Sequence, residues 1–229
     1  MRSSKWHALG NVYLLVEQAE ALTPERAREL SHATDGVLEV VGNRVKVWNP
    51  DGSVAEMSGN GARIAAAWFA RETGSPQVRF RIGKRDVSAT VDGDMVTLTV
   101  GGVEVGEPEV IDGVEFTPVS VGNPHAVVRH DPRDIRRLGP FIENHPRFPE
   151  RTNVQLVRVD GEHELTVGVW ERGAGETTAS GSSAIAAAAA AIANGWCTSP
   201  VTVHMPGGEL HVELADSEAR LTGPVHEIS

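Results

Sequence analysis

The chain has 229 residues, 40% of them hydrophobic, which is enough for one large or two modest domains with proper cores. Its formal net charge of −10, from 31 acidic against 21 basic residues, argues against nonspecific binding to nucleic acid. The longest apolar run, residues 184–193, is too short and too rich in alanine to predict a membrane span. No hydrophobic segment follows the charged N-terminus, so we expect a cytoplasmic protein.

The first half of the chain reads as short strands on either side of one alanine-rich helix. Thr23 followed by Pro24 predicts an earlier, short helix, because threonine is a good N-cap and proline fits the first turn. A hairpin joined at Gly42-Asn43 then leads through a polar loop to the helix that starts after Ser58. The strands predicted in this half are 12–16, 37–41, 44–48, 77–82, 86–91 and 95–100.

The same order of elements recurs in the second half, where another alanine-rich helix starts after Ser180. The strands predicted here are 114–121, 126–128, 152–159, 164–170, 201–205 and 209–214. The sequence therefore predicts an α+β fold with two similar halves, each a mostly antiparallel sheet around a central helix, and a ligand cleft between them. We place the boundary near Asp112-Gly113, which gives an N-terminal half, 1–113, and a C-terminal half, 114–229.

Two short stretches that open the alanine-rich helices resemble each other. They are Ser58-Gly59-Asn60-Gly61-Ala62 and Ser180-Gly181-Ser182-Ser183-Ala184, and each follows a polar approach that contains glycine. Serine is a favoured N-cap, and glycine after it lets a ligand approach the backbone closely. The free N–H groups of a first helical turn attract a carboxylate or a developing oxyanion. We therefore expect two helix N-termini that face one ligand.

Six blocks of sequence carry a more specific signal. They are HALGN (7–11), NPDGSVAEMSGNGAR (49–63), VGNPHAV (121–127), RFPERTNV (147–154), ERGAGETTASGSSA (171–184) and VTVHMPGG (201–208). In this order they closely resemble the diaminopimelate epimerase family, whose members interconvert amino-acid stereoisomers without pyridoxal phosphate. The resemblance implies an isomerase that converts LL- to meso-diaminopimelate in lysine and peptidoglycan biosynthesis, and it allows a homodimer.

The resemblance also implies roles for individual residues. Ser58 and Ser180 stand where the family has two cysteines, one abstracting the α-proton and the other protonating the opposite face. Arg172 resembles the clamp for a distal carboxylate, for which a planar bidentate donor is suited. His125 and Glu171 are expected to orient and tune the acid and base groups. The substrate-binding residues implied by the resemblance are Asn11, Asn49, Gly59, Asn60, Asn123, Asn153, Glu171, Arg172, Gly181 and Ser182.

Two features of the chain depart from the family pattern. Both catalytic thiols are replaced, and the segment before the hairpin at 37–48 is shortened, without a clear counterpart of a glutamine that often contacts substrate there. A serine hydroxyl starts roughly five pKa units above a thiol, a deficit of about 7 kcal/mol. Helix dipoles worth roughly 0.3 to 2 kcal/mol each do not close it. Serine can still donate a hydrogen bond to a ligand.

Three functions stay open at this point. The chain is an epimerase whose cysteines are replaced by serine, a divergent amino-acid epimerase or dehydratase, or a noncatalytic amino-acid-binding protein. A triad hydrolase is disfavoured because Gly-x-Ser-x-Gly is absent and Ala179 precedes Ser180. The nine histidines are dispersed and the one cysteine, Cys197, lies outside both signatures, so we expect no metal site and no cofactor.

Overall fold

The structure, a computed structural model, describes residues 2–55, 58–83, 85–215 and 218–228. It divides into two compact units, one formed by Met1–Thr99 with Thr222–Ser229 and the other by Val100–Leu221. The first seven strands and two helices, in chain order, are β1 (Arg2–Ala8), β2 (Asn11–Glu17), α1 (Pro24–Leu30), β3 (Gly36–Val41), β4 (Arg44–Trp48), α2 (Gly59–Thr73), β5 (Gln77–Ile82), β6 (Arg85–Asp92) and β7 (Met95–Gly102).

The second unit and the C-terminal segment contain the remaining elements. These are β8 (Glu104–Val105), β9 (Glu109–Ile111), β10 (Val114–Ser120), β11 (Pro124–Arg129), α3 (Ile135–Glu143), β12 (Asn153–Gly161), β13 (Glu164–Glu171), β14 (Gly175–Thr177), α4 (Gly181–Ala193), β15 (Val201–Met205), β16 (Gly208–Ala215), β17 (Glu218–Pro224) and β18 (His226–Ile228). Every strand expected from the sequence has a counterpart here, with bounds that differ by a few residues at most. The predicted α+β class is therefore confirmed.

The first unit is one sheet that surrounds α2. Its strands pair in the order β18, β1, β2, β3, β4, β5, β6, β7, and only the β2–β3 and β4–β5 pairs are parallel. The Thr97 and Thr222 hydroxyls bond at 2.8 Å, and the Val225 N–H donates to the Asp94 carbonyl at 2.8 Å. The C-terminal segment thus connects the β7 edge of the sheet to its β1 edge.

The second unit repeats this arrangement around α4. Its strands pair in the order β9, β10, β11, β12, β13, β15, β16, with parallel pairs β11–β12 and β13–β15. In each unit a helix connects the two strands of each parallel pair, so α1 corresponds to α3 and α2 to α4. The predicted repeat, two mostly antiparallel sheets each around a central helix, is confirmed.

The composition of the central helices follows from this position. Helix α4 is buried at every residue from Ser183 to Ala191. Strands pack against α4 from several sides, and the small alanine side chains let them approach closely. A helix that is apolar on all sides is typically buried. Helix α2 ends at Gly74, whose φ of 67° lies in the left-handed region that favours glycine.

The units divide between Thr99 and Val100, whereas the sequence placed the boundary near Asp112-Gly113. The Asp-Gly pair is a hairpin turn inside the second unit, where Ile111 pairs with Val114. Both turn residues have positive φ, 45° for Asp112 and 83° for Gly113, as a tight hairpin of this kind requires. A local turn signal was read as a boundary because the two look alike in sequence.

Candidate functional site

The predicted site residues fall on both units. We call Asn11, Asn49, Ser58, Gly59 and Asn60 the first half-site, and the predicted residues of the second unit the second half-site. The second half-site consists of Asn123, His125, Asn153, Glu171, Arg172, Ser180, Gly181 and Ser182.

Ser58 caps helix α2 as the sequence predicts. Its backbone is extended, with φ −138° and ψ 115°, and its Oγ accepts the Gly61 N–H at 2.9 Å. The Tyr13 hydroxyl lies 3.1 Å from the same Oγ. A Cβ at Gly61 would come within 2.9 Å of Leu38 and 3.1 Å of the Ser58 Oγ, so a larger residue would have to displace the Leu38 side chain and would crowd the cap. Sequence reasoning missed Tyr13, because it lies in the apolar run of a strand.

Asn11 and Asn60 lie together in the first half-site. The Asn60 Nδ2 donates to the Asn11 Oδ1 at 2.5 Å, and the Arg63 Nη2 donates to the Asn60 Oδ1 at 2.6 Å. Asn60 is buried and Asn11 is partly exposed. The structure therefore brings two of the predicted binding residues into one hydrogen-bonded chain, which ends at an arginine that the sequence did not single out.

Asn49 lies in the turn that approaches α2 and is bonded within that turn. Its Nδ2 donates to the Ser53 Oγ at 2.9 Å, and its backbone exchanges hydrogen bonds with Ser53 and Gly52. Hydrogen bonds from Ser53 lower the pKa of the neighbouring Asp51 carboxyl. In the described ranges no hydrogen bond connects Asn49 to Asn11 or Asn60. The last two residues of this approach, Glu56 and Met57, lie outside the described residues.

Ser180 heads helix α4 but does not cap it in the same way. Its backbone is extended, with φ −148° and ψ 124°, yet its side chain makes no capping hydrogen bond. Its Oγ lies 3.5 Å from the Ser182 Oγ, which is long for a hydroxyl pair. Burial raises the pKa of Glu171, and a hydrogen bond with Ser180 partly opposes that rise. The Ser180 hydroxyl thus contacts the Glu171 and Ser182 side chains rather than the backbone N–H groups of α4.

Asn153 holds two segments of the second half-site in place. Its Oδ1 accepts the Arg172 backbone N–H at 3.0 Å, and its Nδ2 donates to the Pro124 carbonyl at 2.8 Å. Asn153 is also the register partner of His125 in the parallel pair β11–β12. The amide oxygen and one amide hydrogen of Asn153 thus hold the backbone at Arg172 and at Pro124. These contacts favour a positioning role, whereas the sequence predicts that this residue binds substrate.

His125 is buried and neutral at pH 7. Its Nε2 lies 3.0 Å from the Asn123 Oδ1. Burial lowers the pKa of the imidazole to about 4, the Gln155 hydrogen bond raises it in part, and the positive charge of Arg172 lowers it further. Asn123 and His125 also line an open cavity of about 530 Å³ in the second unit. A neutral imidazole can orient a neighbour, but it does not serve as a charged acid at this pH.

Gln155 connects His125 to helix α4, a link that sequence reasoning missed. The Gln155 Nε2 lies 3.0 Å from the Ser183 Oγ. With the side-chain amide in this orientation, the Gln155 Oε1 and the His125 Nδ1 are buried and have no partner at normal hydrogen-bond geometry. An amide's nitrogen and oxygen have nearly the same shape, so the orientation is assigned from its partners. The hydrogen bond with Gln155 raises the pKa of His125, which is the effect of an acceptor on an imidazole, because an acceptor stabilises the protonated ring. We therefore assign Oε1 to the side of His125 and Nε2 to the side of Ser183.

Glu143 was also missed, and it holds the turn that carries Arg172. It is buried at the end of α3, and its carboxylate accepts from the Trp170 Nε1 at 2.7 Å and from the Gly173 N–H at 2.8 Å. The Arg151 Nη1 lies 3.3 Å from the same carboxylate. No local signal could have found this residue, because its partners lie on other elements.

Comparison with known proteins decides the family. Residues 117–227 match the family model described as diaminopimelate epimerase. Two relatives named diaminopimelate epimerase, from Desulfitobacterium hafniense and Pseudomonas entomophila, are 36% and 35% identical to the chain. Each match covers 98% of this chain and 95% of the relative. The chain belongs to the diaminopimelate epimerase family.

The alignments also show that this member of the diaminopimelate epimerase family is shorter than its relatives. The alignment to the D. hafniense relative spans 268 residues, more than the 229 of this chain, so the relative carries residues that the chain lacks. The shortened segment expected before the hairpin at 37–48 stays a prediction.

Solved structures support the fold. A protein of Pseudomonas aeruginosa described as a predicted epimerase superposes with a TM-score of 0.74 at 17% identity, covering 100% of this chain and 97% of the other. A phenazine biosynthesis protein of the PhzF family from Enterococcus faecalis gives a TM-score of 0.75 at 11% identity, with 99% and 96% covered. At these identities the likeness concerns the fold alone.

Two features are absent from the part of the chain that the structure describes. In residues 2–55, 58–83, 85–215 and 218–228, no group of three or more His, Cys, Asp and Glu side chains is placed to hold a metal ion. Over the same ranges no helix has the length and hydrophobicity needed to span a membrane.

Proposed function

We propose that this protein binds diaminopimelate, or a closely related amino acid, and that its two half-sites are those of an epimerase acting at the α-carbon. The observation that carries the proposal is that the same kind of helix N-terminus occurs in both units. Helices α2 and α4 occupy equivalent positions in the two units, and each begins after a serine with extended backbone, followed by a buried glycine. Membership of the diaminopimelate epimerase family supports the substrate class.

The reaction needs three things from the protein. A base takes the α-proton on one face, an acid returns a proton on the other, and hydrogen bonds to the substrate carboxylate stabilise the carbanion between these steps. Free N–H groups at a helix N-terminus suit the third task. We assign the other two tasks to positions 58 and 180, and the distal carboxylate to Arg172.

Serine at both positions favours a second candidate function, a binding protein without turnover. The Ser58 Oγ is already occupied as a helix cap, and the carboxyl nearest to Ser180 in the hydrogen-bond network, Glu171, has a raised pKa. Neither arrangement removes a proton from a hydroxyl whose pKa starts far above neutrality. A divergent epimerase or dehydratase that uses its serines is the third candidate, and the same experiment separates all three.

The test is proton NMR of LL-diaminopimelate in deuterated buffer, together with calorimetric binding of meso-diaminopimelate. The protein is compared with a Ser58→Cys, Ser180→Cys double variant, and a Ser75→Cys, Ser199→Cys double variant serves as a control for added thiols. We expect binding by all three proteins and loss of the α-proton signal only with the thiols at 58 and 180. Exchange by the unaltered protein would mean that the serines work, and absence of both binding and exchange in every protein would refute the proposal.

The setting of the protein forms a separate part of the proposal. We infer a cytoplasmic homodimer that does not bind nucleic acid, on the grounds of family resemblance and the net charge of −10. Sedimentation equilibrium tests the dimer, and gel-shift titration with duplex DNA at low salt tests the absence of nucleic-acid binding.

A further inference from the structure

Arg63 is a buried cation without a matching anion. Its relative exposure is 0%, and it forms no ion pair with any residue in the described ranges. One nitrogen, Nη2, donates to the Asn60 Oδ1 at 2.6 Å, while Nε and Nη1 have no hydrogen-bond partner. Burial lowers the pKa of the guanidinium to about 10, so it stays charged at pH 7. An uncompensated buried charge costs stability, which calls for a reason to keep it.

The reason lies in the direction that Arg63 imposes on two amides. A guanidinium has donors only, so the group of Asn60 that faces it must be the oxygen. The Asn60 Nδ2 then faces Asn11 and donates at 2.5 Å, so the group of Asn11 that faces Asn60 must also be the oxygen. With a residue at position 63 that donates no hydrogen bond, the oxygen and the nitrogen of the Asn60 and Asn11 amides could exchange places.

The consequence is a free donor at the end of the chain. The Asn11 Nδ2 makes no hydrogen bond to any described residue, and it is not among the buried unpaired atoms. Asn11 is partly exposed at the start of β2. An amide nitrogen that offers N–H groups to solvent suits a carboxylate oxygen and disfavours an ammonium group.

We propose that Arg63 is a positioning residue that turns the Asn60 and Asn11 amides so that Asn11 presents donors to a carboxylate of the ligand. The inference rests on the proposed function and deepens it, because it assigns a carboxylate, rather than an amino group, to Asn11. Arg63 itself does not contact the ligand.

Asn60→Asp tests the direction of the chain. Aspartate accepts from Arg63 and needs a donor at its other oxygen, so Asn11 must turn its nitrogen inward and its oxygen outward. We expect the variant to fold at least as stably as the unaltered protein, because Arg63 gains an anion. We expect the Kd for meso-diaminopimelate to rise tenfold or more. Asn43→Asp, in an exposed turn of the same unit, makes the same charge change and should leave Kd unchanged.

Substitutions at position 63 separate positioning from packing. Arg63→Lys keeps a buried donor without an acceptor and should keep Kd within a few fold, whereas Arg63→Met removes the donor and should raise Kd about tenfold. Calorimetric binding and urea unfolding are measured for each variant. An unchanged Kd in folded Asn60→Asp and Arg63→Met proteins would overturn the proposal.

A readout without ligand keeps the inference independent of the substrate. Solvent exchange of the side-chain amide hydrogens, followed by ¹⁵N NMR, should be slow for Asn60 and fast for Asn11, and slow for Asn11 in the Asn60→Asp variant. If the protein fails to bind diaminopimelate but shows this exchange pattern, the substrate is wrong and the orientation stands. Slow exchange at Asn11 in the unaltered protein refutes the orientation.

Discussion

The backbone N–H of Gly173 donates to the buried carboxylate of Glu143 at 2.8 Å, across 30 residues of sequence. This bond anchors the turn that directly follows Arg172, whose own N–H is held by the Asn153 Oδ1 at 3.0 Å. The proposed carboxylate clamp is therefore fixed from both sides by groups on α3 and β12. Its geometry depends on hydrogen bonds to the side chains of Glu143 and Asn153.

Glu143→Gln should loosen the clamp. The carboxylate accepts from three donors, the Gly173 N–H, the Trp170 Nε1 and the Arg151 Nη1, and an amide has only one oxygen. At least one donor then faces the amide nitrogen, and such an unmatched buried group costs about 1 to 3 kcal/mol of unfolding free energy. We expect that loss in urea unfolding, with weaker binding of meso-diaminopimelate. Glu115→Gln, at an exposed position of the same unit, should change neither quantity.

His125 should make the protein sensitive to acid. Its pKa of about 4 lies below the ordinary value of 6.5, because burial disfavours the charged form. As the pH falls from 6.5 to 4, the unfolded chain binds a proton at this residue that the folded chain does not, so stability falls in that window. The loss at completion is about 3 kcal/mol.

The measurement is the unfolding free energy at several values between pH 7 and pH 4, for the unaltered protein and for His125→Asn. The variant should lose less stability over this range, whatever its stability at pH 7. His32→Asn, at an exposed position, is the control and should follow the unaltered protein. Parallel curves for the unaltered protein and His125→Asn would contradict the assignment of a buried, neutral imidazole.

Glu171→Gln should stabilise the protein at neutral pH. Burial raises the pKa of this carboxyl above its ordinary value, so its stabilising contribution is complete below that value and is lost as the pH rises through the folded pKa. Glutamine avoids the cost of burying the charge at pH 7. The gain in thermal midpoint should therefore shrink as the pH is lowered toward 4.5, and Glu164→Gln, exposed on the same strand, should show no such trend.

The sequence located the parts of the fold that local patterns determine. Ser58 and Ser180 were recognised as helix starts because a capping residue and the helix that it precedes are adjacent in sequence. The strands were recognised because their apolar residues alternate with polar ones. Helix α3 was not assigned, since Pro140 lies inside it and its polar face carries Arg136 and Arg137. The C-terminal strands β17 and β18 were also missed.

The supporting residues of the site could not be predicted for a different reason. Arg63 stands inside a signature and still reads as an ordinary polar residue of a helix, because its burial is set by strands that are distant in sequence. Gln155 alternates with apolar neighbours on a strand and reads as a surface position. The role of Gln155 follows from its hydrogen bond to Ser183 on α4, and that of Arg63 from the contact of Asn60 with Asn11 on β2. Neither pairing can be inferred from a single sequence.

Ser58→Ala and Ser180→Ala, finally, should separate capping from ligand contact. The Ser58 Oγ accepts the Gly61 N–H at 2.9 Å, whereas the Ser180 side chain caps nothing. Loss of a serine cap costs about 1 kcal/mol, so Ser58→Ala should lower the unfolding free energy by that amount at any pH. Ser180→Ala instead removes the hydrogen bond to Glu171, so it should cost stability at pH 7 and cost little near pH 4, where that carboxyl is protonated. Both are expected to weaken the binding of meso-diaminopimelate. Equal stability losses in the two variants at both pH values would mean that Ser180 is a structural cap, and the two half-sites would then no longer differ in the way described.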